Sequence, residues 1–127
     1  MGTNTVFFGW SRSNPGREHL SGAHFEEFVK YLNGRKEAKA IEDFEIVLLD
    51  AHGGDLGGFF LVHGSTEQCA ALPNSEDFRR AMIDAALIVD NFGVVPALTG
   101  ESVGREMGLY SEAVARVGAG AHALAGD

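Results

Sequence analysis

The chain has 127 residues, 45% of them hydrophobic and 22% charged, with a formal net charge of −8 when histidines are counted as neutral. These are the proportions of one globular domain. An acidic surface repels phosphate backbones, and Arg35, Lys36, Lys39, Arg79 and Arg80 are all diluted by neighbouring carboxylates, so no nucleic acid partner is expected. The lone Cys69 excludes an intrachain disulfide framework and a multi-cysteine zinc site. No apolar run reaches membrane-spanning length, and the start of the chain lacks the pattern of a signal peptide, so the expected location is cytoplasmic, with no membrane partner.

Asn4–Trp10 (NTVFFGW) is rich in β-formers and ends at Ser-Arg-Ser-Asn-Pro-Gly; it reads as the first strand. From Arg17 to about Lys39 the period becomes helical: Phe25, Phe28, Val29 and Leu32 share one face, with Leu20 and Tyr31 beside them. Fraying is expected near Asn33-Gly34. Phe44–Ala51 and Gly58–Gly64 read as the second and third strands. Thr66 is the expected cap of a short helix through Leu72, broken by Pro73-Asn74. Ser75, followed by Glu76 and Asp77, begins another helix to about Val89. Asn91–Thr99 holds the fourth strand, with Pro96 pointing to an edge or a bulge. A last helix runs from Glu101 to about Val117, its apolar residues Val103, Met107, Tyr110, Val114 and Val117 at seam spacing. Residues 1–117 form the expected domain and 118–127 a tail.

The order β-α-β-β-α-β plus a helix is the split βαβ, ferredoxin-like arrangement, an α+β fold with a four-stranded antiparallel sheet. Its strands are apolar on both sides. Val6, Phe8 and Trp10 oppose Phe7; Phe44, Ile46 and Leu48 oppose Val47 and Leu49; Phe59 and Leu61 oppose Phe60 and Val62. Two helices cover one face, and an antiparallel sheet ordinarily shows water a polar second face. An apolar second face needs cover, and a second copy in a two-fold homodimer supplies it.

With that architecture, and with the stretches LLDAHGGDLGGFFLVHG, SEDFRR, IVDNFGVVPALTGE and MGLYSEAV, the chain resembles the dimeric α+β barrel superfamily from about Val6 to Val117. That group includes antibiotic-biosynthesis-type monooxygenases, muconolactone-isomerase-like, stress-responsive and YciI-like proteins. Within it the chain is similar to a bacterial family of uncharacterised proteins. The resemblance implies two ferredoxin-like sheets packed face to face. It implies no particular reaction, because the superfamily hosts unrelated chemistries.

The glycine-rich stretch Asp50–Gly64 lies between two strands, without the lysine or the following helix of a phosphate loop. It reads as a hairpin connection in which Gly53, Gly54 and Gly57 supply positive φ or a bulge. Gly58 and Gly64 read as points of close backbone approach. The candidate acid/base residues are His24, at the edge of the first helix's apolar stripe, and His52 and His63 near the ends of the second and third strands. His52 and His63 with Asp50 or Asp55 would make a two-histidine, one-carboxylate metal set, but the local spacing does not favour it, and neither metal nor cofactor is expected. Phe8, Trp10, Arg12, Phe44, Glu45, Phe59 and His63 are the expected lining of a ligand cavity. Four functions fit: a homodimer binding a small apolar or aromatic molecule, a cofactor-independent monooxygenase- or isomerase-like enzyme with a cavity histidine, a haem-binding protein, and a structural interaction module.

Overall fold

The computed structural model describes residues 2–126, with side chains described through residue 120. Its elements follow in the order β1 (Thr5–Trp10), α1 (Glu18–Glu37), β2 (Asp43–Leu48), β3 (Gly58–His63), α2 (Thr66–Ala71), a 3-10 turn (Leu72–Asn74), α3 (Glu76–Ile88), β4 (Gly93–Ala97) and α4 (Glu101–Gly126). The sheet has four strands in the order β2-β3-β1-β4, and every neighbouring pair is antiparallel.

The register assigns each side chain to a face. Val6 lies opposite Val62 and Phe8 opposite Phe60; on the other side of β3, Phe44 meets Val62 and Ile46 meets Phe60. These residues share a face because side chains alternate along a strand. Phe28 and Leu32 of α1 and Phe78 of α3 pack onto it with Val6, Phe8, Phe60 and Val62 as one buried core. The aromatic rings meet at centroid separations that favour tilted and edge-on contact: Phe8 to Phe28 at 5.4 Å, Phe8 to Phe78 at 5.2 Å and Phe28 to Phe60 at 5.2 Å.

Helix starts follow their capping residues. Ser65, one residue before the expected Thr66, caps α2. Its hydroxyl accepts from the Gln68 amide while the Gln68 side chain accepts from the Ser65 amide, a reciprocal capping box. Ser75 caps α3 as its sequence indicated, accepting from the Phe78 amide. Helix α1 runs through Asn33-Gly34 without interruption to Glu37. Helix α4 extends past Val117, where its sequence pattern was expected to end.

The β2–β3 connection differs from a tight hairpin. β2 stops at Leu48, and only the Leu49 amide, donating to the Gly57 carbonyl, continues the ladder. Gly53 has a positive φ of 80°, but Gly57 serves another purpose. Its amide donates to the Trp10 carbonyl, and a Cβ there would collide with the Ser11 carbonyl oxygen. Gly58 likewise lies against the Trp10 ring. The glycines therefore let the loop close over the end of β1.

On the sheet's other face lie Phe7, Val47, Phe59, Leu61 and Val95. The Phe7 and Phe59 rings are 5.2 Å apart. Neither α1 nor α3 reaches this face, and Val103, Met107, Leu109, Tyr110, Val114 and Val117 of α4 are themselves exposed. Among the described residues no helix is long and apolar enough to cross a membrane.

Candidate functional site

Strand alternation divides the expected cavity residues between the two faces. Phe8, Trp10 and Phe44 belong to the helix-covered face; Glu45, Phe59 and His63 belong to the open one. Arg12 lies beyond the end of β1, exposed, its Nε 3.4 Å from Asp90 Oδ2. His52 sits in the β2–β3 connection, Nδ1 bonded to the Asp50 carbonyl at 2.9 Å. His63 stands at the opposite end of the hairpin, opposite Asp43, so the two histidines are not brought together. Among the described residues, no three or more His, Cys, Asp or Glu side chains cluster where they could hold a metal ion.

Two places gather chemistry. The first is a cleft of about 300 Å³ on the helix face, between α1, α3 and the β1–β3 end of the sheet. Phe8, Trp10, Phe25, Phe28, Phe60, Met82 and Phe92 form its walls. Trp10 packs edge-on against Phe25 at 6.4 Å and tilted against Phe60 at 5.6 Å. Small residues leave the space open: Gly22 on α1 and Ala85 on α3 both line it. Its polar groups are few. His24, half-buried on α1, has Nε2 3.1 Å from the Ala81 carbonyl of α3. Because a carbonyl only accepts, that nitrogen carries a proton and donates to it. Ser13 and Ser21 pair their hydroxyls 2.5 Å apart at the rim. An apolar cleft with a few placed polar groups is the usual form of a small-molecule site. A wider cleft between α3 and β4 is lined mostly by apolar residues, with Thr3, Arg79 and the Cys69 thiol among them and the exposed Ile83 at its edge.

The second place is a hydrogen-bonded chain on the open face. Glu45 Oε2 lies 2.7 Å from His63 Nε2, and His63 Nδ1 lies 3.2 Å from Thr5 Oγ1. Thr5 Oγ1 is 2.7 Å from Thr99 Oγ1, and Asn4 Oδ1 accepts from the Thr99 amide. A carboxylate only accepts, so Nε2 donates to Glu45; Thr5 Oγ1 sits at the other end, within reach of His63 Nδ1, Thr99 Oγ1 and, at 3.3 Å, Asn4 Oδ1. The chain grades from fully buried Thr5 through the His63 side chain, 24% exposed, to Glu45, 58% exposed. Asp43 beside it is held below the usual carboxylate range, first by the hydrogen bond from the Lys36 ammonium and then by the Phe44 amide. Thr5, Thr99 and Asn4 carry no sequence signal of their own; only the register that sets Thr5 opposite His63 and Ala97 joins them.

Cys69 is buried against the core, and burial, with Glu42 nearby, raises its thiol above the ordinary range.

No protein-family model matches the chain, and no curated protein matches it. Among solved structures it is similar to the crystal structure of NE2512, a protein of unknown function from Nitrosomonas europaea. The two share 17% identity and a TM-score of 0.50 over 78% of this chain and 93% of that one. At that identity the likeness is one of fold: a small α+β domain with a four-stranded antiparallel sheet.

Proposed function

We propose that this chain works as a homodimer of ferredoxin-like protomers, paired sheet to sheet as a dimeric α+β barrel, and that it binds a small apolar or aromatic molecule. The ligand reading is carried by the aromatic cleft with His24 at its wall. A 300 Å³ space is at the lower end for a drug-sized ligand and suits a single substituted ring. The dimer reading is supported by the sheet. β1 and β2 are joined through α1 with β3 inserted between them, and β4 flanks β1, the split βαβ order. Such a sheet, helical on one side only, leaves Phe7, Val47, Phe59, Leu61 and Val95 to be covered.

Native mass spectrometry of the untagged protein tests both parts. The expected species is a dimer, with or without an added mass of one small molecule per chain. Trp10 is the one tryptophan and lines the cleft, so titration with 4-nitrophenol, a quenching aromatic probe, is expected to reduce its emission saturably. A bare monomer at micromolar concentration overturns the dimer reading. Linear, unsaturable quenching by this probe and by a panel of substituted phenols overturns the ligand reading.

One observation favours a second, enzymatic reading. Of the three histidines considered, His63 is the one held at both ring nitrogens, with a carboxylate behind one of them. In a sheet-to-sheet dimer it would face the space between the sheets, where an imidazole fixed by Thr5 and Glu45 could exchange a proton with a bound substrate. Once a turnover is found, His63→Gln is expected to abolish it while His52→Gln leaves it intact; the reverse result overturns this reading.

A further inference from the structure

Helix α4 carries an apolar seam that its own protomer leaves uncovered. Val103, Met107, Tyr110, Val114 and Val117 follow one another at steps of four and three residues and are between 45% and 64% exposed. A stripe at that spacing is narrow and matches the width of another helix better than that of a sheet. Its flanks are small except at Glu106. Gly104, Ser111 and Gly118 run along one side at seven-residue steps; Glu106, Ala113 and Gly120 run along the other.

The glycines are informative because nothing among the described residues requires them. A Cβ at Gly104, Gly118 or Gly120 would meet no atom within 4 Å. Each nevertheless costs the helix about 1 kcal/mol relative to alanine. Isolated helices are marginal in water even with favourable sequences. A long helix with several unneeded glycines and an exposed seam is therefore incomplete without an external surface, and small flanks let another backbone approach closely.

We infer that the surface is α4 of a second copy, so that two seams pack on each other across a two-fold axis. The seam suits itself: it is apolar along its whole length, with Gly104, Ser111 and Gly118 small along one flank, Glu106 the single large residue of the other, and no row of like charge to oppose pairing. An isologous contact centred on Tyr110 sets that residue against its own counterpart. Residues 103 to 117 span roughly 21 Å of helix, less than a stable interface of about 1,200 Å² needs by itself; the open sheet face supplies the remainder. The inference therefore rests on the homodimer proposed above and adds the element that extends its interface. α4 leaves β4, an edge strand, through Gly100 at a φ of 63°, which places it at the periphery where a partner can reach it.

The test is site-directed crosslinking in the full chain. Tyr110→Cys is oxidised with diamide and compared with Arg105→Cys, on the side of α4 away from the seam, and with the wild type, whose Cys69 is buried. Native mass spectrometry of the same samples gives the oligomeric state. At least a tenfold faster dimer crosslink for Tyr110→Cys than for Arg105→Cys is expected. Equal rates in a dimeric protein overturn the α4 pairing and leave the sheet-to-sheet dimer standing. A monomeric wild type overturns both. Met107→Glu gives an independent reading: a loss of helical circular dichroism and at least a tenfold weaker dimer are expected, and an unchanged spectrum with an unchanged Kd counts against the pairing.

Discussion

Leu61→Glu separates the energetics of the protomer from those of the dimer. Leu61 lies in the middle of the open face, between Glu45 on β2 and Phe7 on β1. In an isolated protomer a carboxylate there stands directly opposite Glu45, and a like-charge cross-strand pair costs about 0.2–1 kcal/mol. The half-buried leucine is lost as well, but domain stabilities of roughly 5–15 kcal/mol absorb that. In the proposed sheet-to-sheet dimer the two-fold axis would double the effect, because one carboxylate from each copy would have to lose water in an apolar interface. The effective penalty is several kcal/mol per ion. At about 3 kcal/mol each, association weakens by roughly 6 kcal/mol, and at 1.4 kcal/mol per decade that is about four decades in Kd. The fold should survive a substitution that the dimer does not.

Sedimentation over a hundredfold range of protein concentration, with far-ultraviolet circular dichroism at each point, measures both quantities. The expected result is a folded monomer at concentrations where the wild type is dimeric. Phe60→Glu, one residue away, is the contrasting variant: Phe60 is 4% exposed on the helix-covered face, so it should unfold the protomer. Ile83→Glu, on the exposed side of α3, should change neither property. A Leu61→Glu protein with the wild-type dimer Kd would refute the assignment of the open face as the interface.

Three further outcomes are expected. Gly22 lines the cleft with nothing within 4 Å of a Cβ placed on it, so Gly22→Leu should raise helix stability by up to about 1 kcal/mol while its side chain fills the cleft; a higher melting temperature with at least tenfold weaker phenol binding is the expected pair, and unchanged binding argues that ligands sit elsewhere. Thr5→Val keeps shape but removes the hydroxyl joining His63 and Thr99, leaving half-buried partners short of a hydrogen bond at a cost of about 1 kcal/mol, readable by urea unfolding. Asp43 has its carboxyl pulled down by Lys36; a lowered folded-state value means its contribution is present above the ordinary carboxylate range and lost as pH falls through it, so the stability difference between wild type and Asp43→Asn should shrink between neutral and acidic pH, as followed by thermal melts.

The order and type of the elements were legible because each had a local cause: alternating β-formers, a 3.6-residue apolar stripe, a serine followed by acidic residues. The two-sided apolar character of the sheet was legible for the same reason, since period two assigns faces without knowledge of register. Register itself was not legible. Nothing local sets Thr5 beside His63 or brings Thr99 to Thr5; those contacts arise from antiparallel pairing across separations of 58 and 94 residues. The β2–β3 glycines were recognisable as loop residues, but the need for Gly57 comes from the Ser11 carbonyl just past the end of β1, which no local pattern reports.

The aromatic cleft shows why counting aromatic residues does not locate a site. Phe44 and Phe59 are as aromatic as Phe25 and Phe60, yet neither lines the cleft. The space exists because of what is missing: Gly22 and Ala85 occupy facing helices where larger side chains would meet over Phe8 and Trp10. Interiors pack close to crystal density, so a void of this kind persists only where neighbouring elements hold the walls apart. Here His24 on α1 hydrogen-bonds to the Ala81 carbonyl of α3 and ties the two helices together one turn from the gap. Replacing His24 by leucine should therefore act on the cleft through helix spacing as well as through lost polarity, whereas glutamine, able to donate to the same carbonyl, should preserve the spacing. If both variants bind phenols equally well, the His24–Ala81 contact neither shapes the cleft nor touches its ligand.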